Sequence, residues 1–201
     1  MRRRPYLSSY GVPILGAVLL VNIAVIAVVF TRGADDVQPL PVLGTLTDFT
    51  LVDQHGDEVG LATLADRVWV ADFVFTTCAG PCPTMSRKMA ALQRRFSRGP
   101  ELHLVSFSVN PEYDTPEVLR EYGRRFGAVD SSWTFLTGDR SELQAVAAKG
   151  FRLGEVDEPI HHSTYFSLVD GLGRLRGYYD SLDERALERL EADILQLLRH
   201  G

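Results

Sequence analysis

The sequence predicts an α/β domain, a mixed sheet flanked by helices, preceded by one N-terminal transmembrane helix. Three observations carry this: apolar runs of strand length alternate with stretches of helical periodicity, the chain closes with a hairpin and an amphipathic helix, and the N-terminus holds a long uncharged segment.

That segment comes first in order. Arg2, Arg3 and Arg4 precede residues 11–30, which contain no charge and one strongly polar side chain, Asn22. About twenty residues rising about 1.5 Å each as helix cover the roughly 30 Å hydrocarbon core. The arginines are expected to remain cytoplasmic and the rest of the chain to be exported. Val28-Val29-Phe30-Thr31-Arg32 offers no small-x-small cleavage site, so the expectation is an uncleaved anchor in the cell membrane, single-pass. Residues 1–10 are then a cytoplasmic basic N-terminus and 11–30 the transmembrane anchor. Residues 31–43 are a linker marked by Asp35, Asp36, Pro39 and Pro41, and 44–201 an exported domain on the periplasmic or extracytoplasmic side. Beyond the anchor, 17 basic residues face 26 acidic ones, a net of −9 once Arg2, Arg3, Arg4 and Arg32 are set aside. This balance argues against a nucleic-acid partner and serves solubility.

Within the domain, residues 48–53 alternate as a short strand and lead into a turn at His55-Gly56-Asp57. Residues 67–76 are nearly continuously apolar, which suits a mid-sheet strand buried on both faces. After the turn Thr77-Cys78-Ala79-Gly80-Pro81-Cys82-Pro83, Pro83 suits a first helical position, and Met85, Met89, Leu92 and Phe96 recur at helical spacing. Residues 101–109 form the next strand, with Leu102, Leu104, Phe107 and Val109 apolar. Thr115 is expected to cap a helix reaching Phe126, with Pro116 at its first position. Trp133 to Leu136 is a short strand. Residues 141–149 are expected as a helix capped by Ser141 and stopped by Gly150. Strands at 165–169 and 175–179 flank the turn Asp170-Gly171-Leu172-Gly173, and residues 183–199 close the chain as a helix with Leu187, Leu190, Ile194, Leu197 and Leu198 on one face. Strand, cysteine turn, helix and further alternation make up the thioredoxin-like architecture.

Cys78 and Cys82 are the only cysteines among 201 residues. Both lie on one tight turn, so they act together, as a redox couple or as two soft metal ligands. A disulfide that braces the fold is disfavoured, because so short a ring removes little chain entropy. Free N–H groups and the dipole at the helix start are expected to lower the Cys82 pKa. The Cys-x-x-x-Cys spacing is one residue longer than a thioredoxin pair and lets both sulfurs face a third object. Two thiolates suit Cu(I), with an imidazole as a natural third donor.

Of the five histidines, His55, His103 and His200 read as structural. His161 and His162 end the loop 154–162, just before a strand, and in a thioredoxin-like sheet that loop leans against the cysteine turn. Asn110 and Asp114 follow a strand's carboxyl end, where ligands commonly bind. They are candidates for supporting hydrogen bonds or a weak ligand, with capping of the next helix the simpler role for Asp114. Met85 and Met89 read as core rather than as thioether ligands.

These motifs resemble the Sco/SenC family of membrane-anchored copper chaperones for cytochrome c oxidase, over roughly residues 44–200. Phe75-Thr76-Thr77-Cys78-Ala79-Gly80-Pro81-Cys82-Pro83 is similar to the family's metal-binding turn, and Ser108-Val109-Asn110-Pro111-Glu112-Tyr113-Asp114-Thr115-Pro116-Glu117 to its next signature. Thr137-Gly138 resembles a short motif that follows. His162-Ser163, with Asp170 and Gly173 downstream, matches the family's His-Ser or His-Thr strand start, a register that selects His162 over His161. The resemblance implies one copper ion held by Cys78, Cys82 and His162. It also implies a role in assembling the binuclear copper centre of oxidase subunit II or a similar copper enzyme, with other copper carriers as partners. Two departures stand out: Asn110-Pro111-Glu112 replaces the usual Asp-Pro-Glu, and Ala79-Gly80-Pro81 lacks the acidic residue common between the cysteines. The competing activity is a thiol:disulfide oxidoreductase that uses the same two thiols to reduce an exported copper site. A peroxidase lacks support, since Thr76 and Thr77 precede Cys78 without the Pro-x-x-x-Thr-x-x-Cys pattern.

Overall fold

The structure, a computed structural model, describes residues 38–97, 102–153 and 163–200, together with Asn22. The expected anchor, residues 11–30, lies outside the described residues apart from Asn22. Among the described residues no helix is long and apolar enough to cross a membrane.

From Leu40 onward the chain is one compact unit. Its strands are β1 (Gly44–Thr45), β2 (Thr50–Asp53), β3 (Glu58–Gly60), β4 (Val68–Val74), β5 (Leu102–Ser108), β6 (Trp133–Thr137), β7 (Tyr165–Val169) and β8 (Arg174–Asp180). Its helices are α1 (Cys82–Phe96), α2 (Pro116–Phe126), α3 (Arg140–Ala145), which continues as a π-helical segment Val146–Gly150, and α4 (Glu184–His200). The eight strands form one sheet in the order β1-β8-β7-β4-β5-β6-β2-β3. β4, β5 and β6 run parallel, while β7 and β2 pair antiparallel on either side of them. This is the mixed, helix-flanked, thioredoxin-like sheet expected from the sequence.

The apolar run at 67–76 reads correctly as a central strand: all seven residues of β4 are buried. Alternation along β4 and β5 sends Val68, Val70, Leu102 and Leu104 to one face, packed against α1, α2 and α4 through Met85, Met89, Leu119, Leu190 and Ile194. Trp69, Ala71, Phe73, Val105 and Phe107 go to the other face, against Phe49, Leu51, Leu143, Val146 and Phe151. Close packing of α2 on the sheet requires Gly123, where an added Cβ would lie 2.8 Å from Phe135.

Element ends show where local signals are overridden. Strand β2 starts at Thr50 rather than 48, because the Asp48 side chain turns back to accept from Phe49 N–H at 3.0 Å and Leu61 N–H at 3.2 Å. Helix α2 behaves as expected, with Thr115 accepting from Val118 N–H and Pro116 in the first turn, and Gly127 closes it in the left-handed region at φ 72°. The cap of α3 is Asp139, not Ser141: its carboxylate accepts from Ser141 N–H at 2.8 Å and Glu142 N–H at 3.2 Å. A carboxylate two residues earlier captures the first free N–H groups, so the helix starts before Ser141 can cap it. Helix α1 begins at Cys82, one residue before the expected Pro83, with Pro81 at its N-cap.

Candidate metal centre

Strand β4 delivers the chain to the cysteine turn, and pairing with β5 extends just past its end through Val109 N–H to Val74 O at 2.9 Å. Beyond it, Cys78 N–H closes onto Phe75 O at 3.2 Å, and Gly80 N–H donates to Cys78 Sγ at 3.3 Å. Thr84 and Met85 N–H then turn onto Pro81 O at 2.9 and 3.0 Å, starting α1 with Cys82 in its first turn. Both cysteines are free thiols and both are buried, at 8% and 2% exposure, in an apolar cup formed with Val74 and Phe75.

The helix start does not lower the Cys82 pKa as the sequence argument expected. Burial, and after it the hydrogen bond to Cys78, push the thiol up to about 12, against a backbone hydrogen bond from Phe75 that pulls the other way. The dipole is a fraction of a charge at a helix end, whereas loss of hydration acts on the whole thiolate.

Around the turn the structure assembles side chains far apart in sequence. Asp114, fully buried, does not cap α2; Thr115 does that. The Asp114 carboxyl oxygens instead accept from Thr76 N–H at 3.3 Å, from Thr76 Oγ1 at 2.5 Å and from Ser108 Oγ at 2.6 Å. Asn110 takes part through its backbone, donating N–H to Ser108 Oγ at 3.0 Å. Met85 and Met89 are fully buried core residues, as expected.

One contributor escaped the sequence argument. Asp72, on the face of β4 that also carries Val70 and Val74, is fully buried and accepts from Ser106 Oγ at 2.6 Å, while Ser106 accepts from Trp133 Nε1 at 2.9 Å. Among the described residues its Oδ2 has no partner. Burial pushes Asp72 up to about 7, and its charge is felt at Cys82 and at Tyr122, whose hydroxyl meets Ser86 at 2.8 Å. The signal was present: an acid inside a strand buried on both faces is rarely only structural.

The histidines divide as follows. His55 pairs with Asp130 at 3.3 Å beside the β2–β3 turn. His103, in β5, meets Thr134 Oγ1 at 2.9 Å, and burial, helped by Arg67, depresses it to about 4. His161 and His162 lie outside the described residues. Among the described residues no group of three or more His, Cys, Asp or Glu side chains could hold a metal. Two buried thiols in an apolar cup match the donor set of a soft, low-coordinate cation and suit hard cations poorly.

A family model described as SCO1/SenC matches residues 41–199. The SCO1 protein homolog of Bacillus subtilis (strain 168) is 33% identical over 154 residues, covering 73% of this chain and 79% of that protein. The structure of BsSco, a member of the Sco family of cytochrome c oxidase assembly proteins with a disulfide switch, aligns with a TM-score of 0.70 at 29% identity. That alignment covers 80% of this chain and 98% of BsSco. Yeast Sco1 with copper bound aligns at 0.58 and 26% identity, over 76% of this chain and 92% of the yeast one. With residues 41–199 matched, this chain belongs to the SCO1/SenC family.

Proposed function

We propose that this protein is a membrane-anchored copper chaperone that binds one copper ion through Cys78, Cys82 and His162 and helps assemble the binuclear copper centre of cytochrome c oxidase subunit II. The observation that carries the reading is the buried, reduced pair Cys78 and Cys82 at the start of α1. Copper bound to yeast Sco1 and the oxidase-assembly role of the BsSco family support the choice of cargo and acceptor.

Copper is the cargo, and the residues supply the handling. With its pKa near 12, Cys82 keeps its proton at neutral pH, so its sulfur is a weak nucleophile. Cu(I) entering the cup displaces the two thiol protons to solvent and leaves a dithiolate complex, which makes loading and release proton-linked. His162 precedes β7, and β7 lies beside β4 with Ser167 level with Ala71, so the first residue of β7 stands at the same sheet edge as the cysteine turn. That register supports His162 as the third donor. The anchor at residues 11–30 keeps the exported domain at high local concentration around membrane-embedded acceptors.

The decisive experiment is anaerobic Cu(I) titration of the full chain in detergent, with X-ray absorption, beside His162→Ala. One equivalent bound by two sulfurs and one nitrogen, the nitrogen lost in the variant, is the expected result.

The disulfide switch of BsSco favours a second reading, a thiol:disulfide oxidoreductase. Cys78 and Cys82 would then give two electrons and two protons to a partner disulfide, which becomes two thiols as the pair closes to its own disulfide. Trapping a mixed disulfide with Cys82→Ser or Cys78→Ser, together with no stable copper binding, would move the assignment there.

A further inference from the structure

Cys78 and Cys82 are held in different ways. Cys82 belongs to α1 and moves with a helix whose apolar side is buried against the sheet. Cys78 sits on a short loop after β4 has ended, and its backbone N–H reaches only the nearby Phe75 O. The loop meets α1 locally, through the Phe75 backbone and the Cys78 contact with Cys82, and it is tied across to the end of β5 by the contact of Thr76, two residues before Cys78, with Asp114.

We propose that Asp114 is a positioning residue for the cysteine pair: its carboxyl group, fixed by Ser108 at the end of β5, holds Thr76 by backbone and side chain and thereby sets where Cys78 stands relative to Cys82. Both Asp114 oxygens are used, with Thr76 N–H shared between them at 3.3 Å, Thr76 Oγ1 at 2.5 Å on one and Ser108 Oγ at 2.6 Å on the other. The frame behind it is rigid. Asp114 N–H donates to Asn110 O at 3.0 Å, Asn110 N–H donates to Ser108 Oγ at 3.0 Å, and Thr115 caps α2 directly afterwards. Asp114 and Ser108 are both fully buried, so water does not compete for these bonds. An amide cannot replace the carboxyl. Its NH2 group would face one of two hydroxyl donors and leave that donor without an acceptor.

The consequence falls on any state in which the two sulfurs act jointly. A copper dithiolate and a Cys78–Cys82 disulfide both need Cys78 at a defined distance from Cys82. A loop released from Asp114 must be ordered at the moment of binding. This rests on the reading of Cys78 and Cys82 as a working pair, whether for copper or for electrons.

The test uses the full chain in detergent with two readouts: Cu(I) affinity by competition with a chelator, and the dithiol/disulfide potential by equilibration with glutathione. Asp114→Asn and Thr76→Val are each expected to weaken Cu(I) binding about 10- to 100-fold and to shift the potential. The double variant should be no worse than the more severe single one, since both remove the same bond. Thr76→Ser, which keeps the hydroxyl, should stay near wild type, and Leu143→Ala, a core truncation on the opposite face, should lower the melting temperature without moving either readout. Asp114→Asn and Thr76→Val with wild-type affinity and potential, or with losses matched by Leu143→Ala, overturn the proposal. Should the wild-type chain bind no Cu(I), the proposed function fails, and the potential, measured without metal, still decides the role of Asp114.

Discussion

The two faces of the central sheet are built from the same two strands and differ in kind. On the face away from α1, Phe73 stacks on Phe107 at 5.1 Å, while Phe49, Phe151 and Trp69 close around them edge-on at 5.3 to 5.9 Å. On the face under α1 and α2, β4 and β5 place Asp72, Ser106 and Ser108 among Val70 and Leu104. Among the described residues, polar atoms without a partner occur on both, Trp69 Nε1 on the first and Asp72 Oδ2 on the second, and of these two atoms only the carboxyl oxygen can carry charge. The lesson is a division of labour: the aromatic face holds the sheet together with stacked rings and carries one buried imidazole, His103, whereas the face that bears the cysteine turn carries a buried acid, Asp72, beside the thiols.

Truncation on the aromatic face should break this comparison most strongly. Phe107→Ala removes a fully buried ring that touches three others and is expected to cost about 3–5 kcal/mol, read from chemical denaturation. Copper affinity of the folded fraction should not change. A changed affinity would mean that the faces are not separable.

A smaller effect, and a sharper one, comes from the buried titratable group on each face. Asp72 holds its proton in the folded state up to about pH 7 against an ordinary value of 3.8, so its contribution is full below 3.8 and is lost as pH rises toward 7, by a few kcal/mol at most. His103, on the aromatic face, is depressed to about 4 from 6.5, and its contribution has the opposite sign: stability is lost as pH falls from 6.5 toward 4. Between pH 4 and 6.5 the two slopes oppose and flatten the wild-type profile. Asp72→Asn should expose a stability that rises with pH across that window, and His103→Gln one that falls, both followed by thermal denaturation. Parallel profiles in all three proteins would remove the assignment of a charge-bearing face.

The smallest effect belongs to the rim, where Arg140 and Glu112 form an exposed ion pair and Arg140 holds the Glu112 carboxyl below its usual range. Solvent and salt screen such pairs, so Arg140→Ala should leave the denaturation midpoint unchanged in moderate salt. A clear loss would mark the loop after β5 as a stabilising contact in its own right.

Much of the molecule was legible before folding. Hydrophobic period and punctuation located β4, α1, the Thr115 cap of α2, the closing hairpin and the last helix, because strand and helix preferences are set by residues within a few positions of one another. The same local signals put both cysteines on one turn, and the motif pattern pointed to the family. Short edge strands such as β1 and β3 were not legible, since two or three residues carry no period and exist only through their partners.

By itself, then, the sequence determined the order of the longer elements, the placing of Cys78 and Cys82 on one turn and the family. Tertiary structure alone decided the state of the pair. Asp114 serves Thr76, 38 positions away, rather than its own helix, Asp72 finds Ser106 across 34, and Cys82 is raised rather than lowered. The physical reason is common to all three. Hydration lost on burial, and donors brought in from distant strands, act on a side chain more strongly than its sequence neighbours do, and neither exists until the sheet has formed.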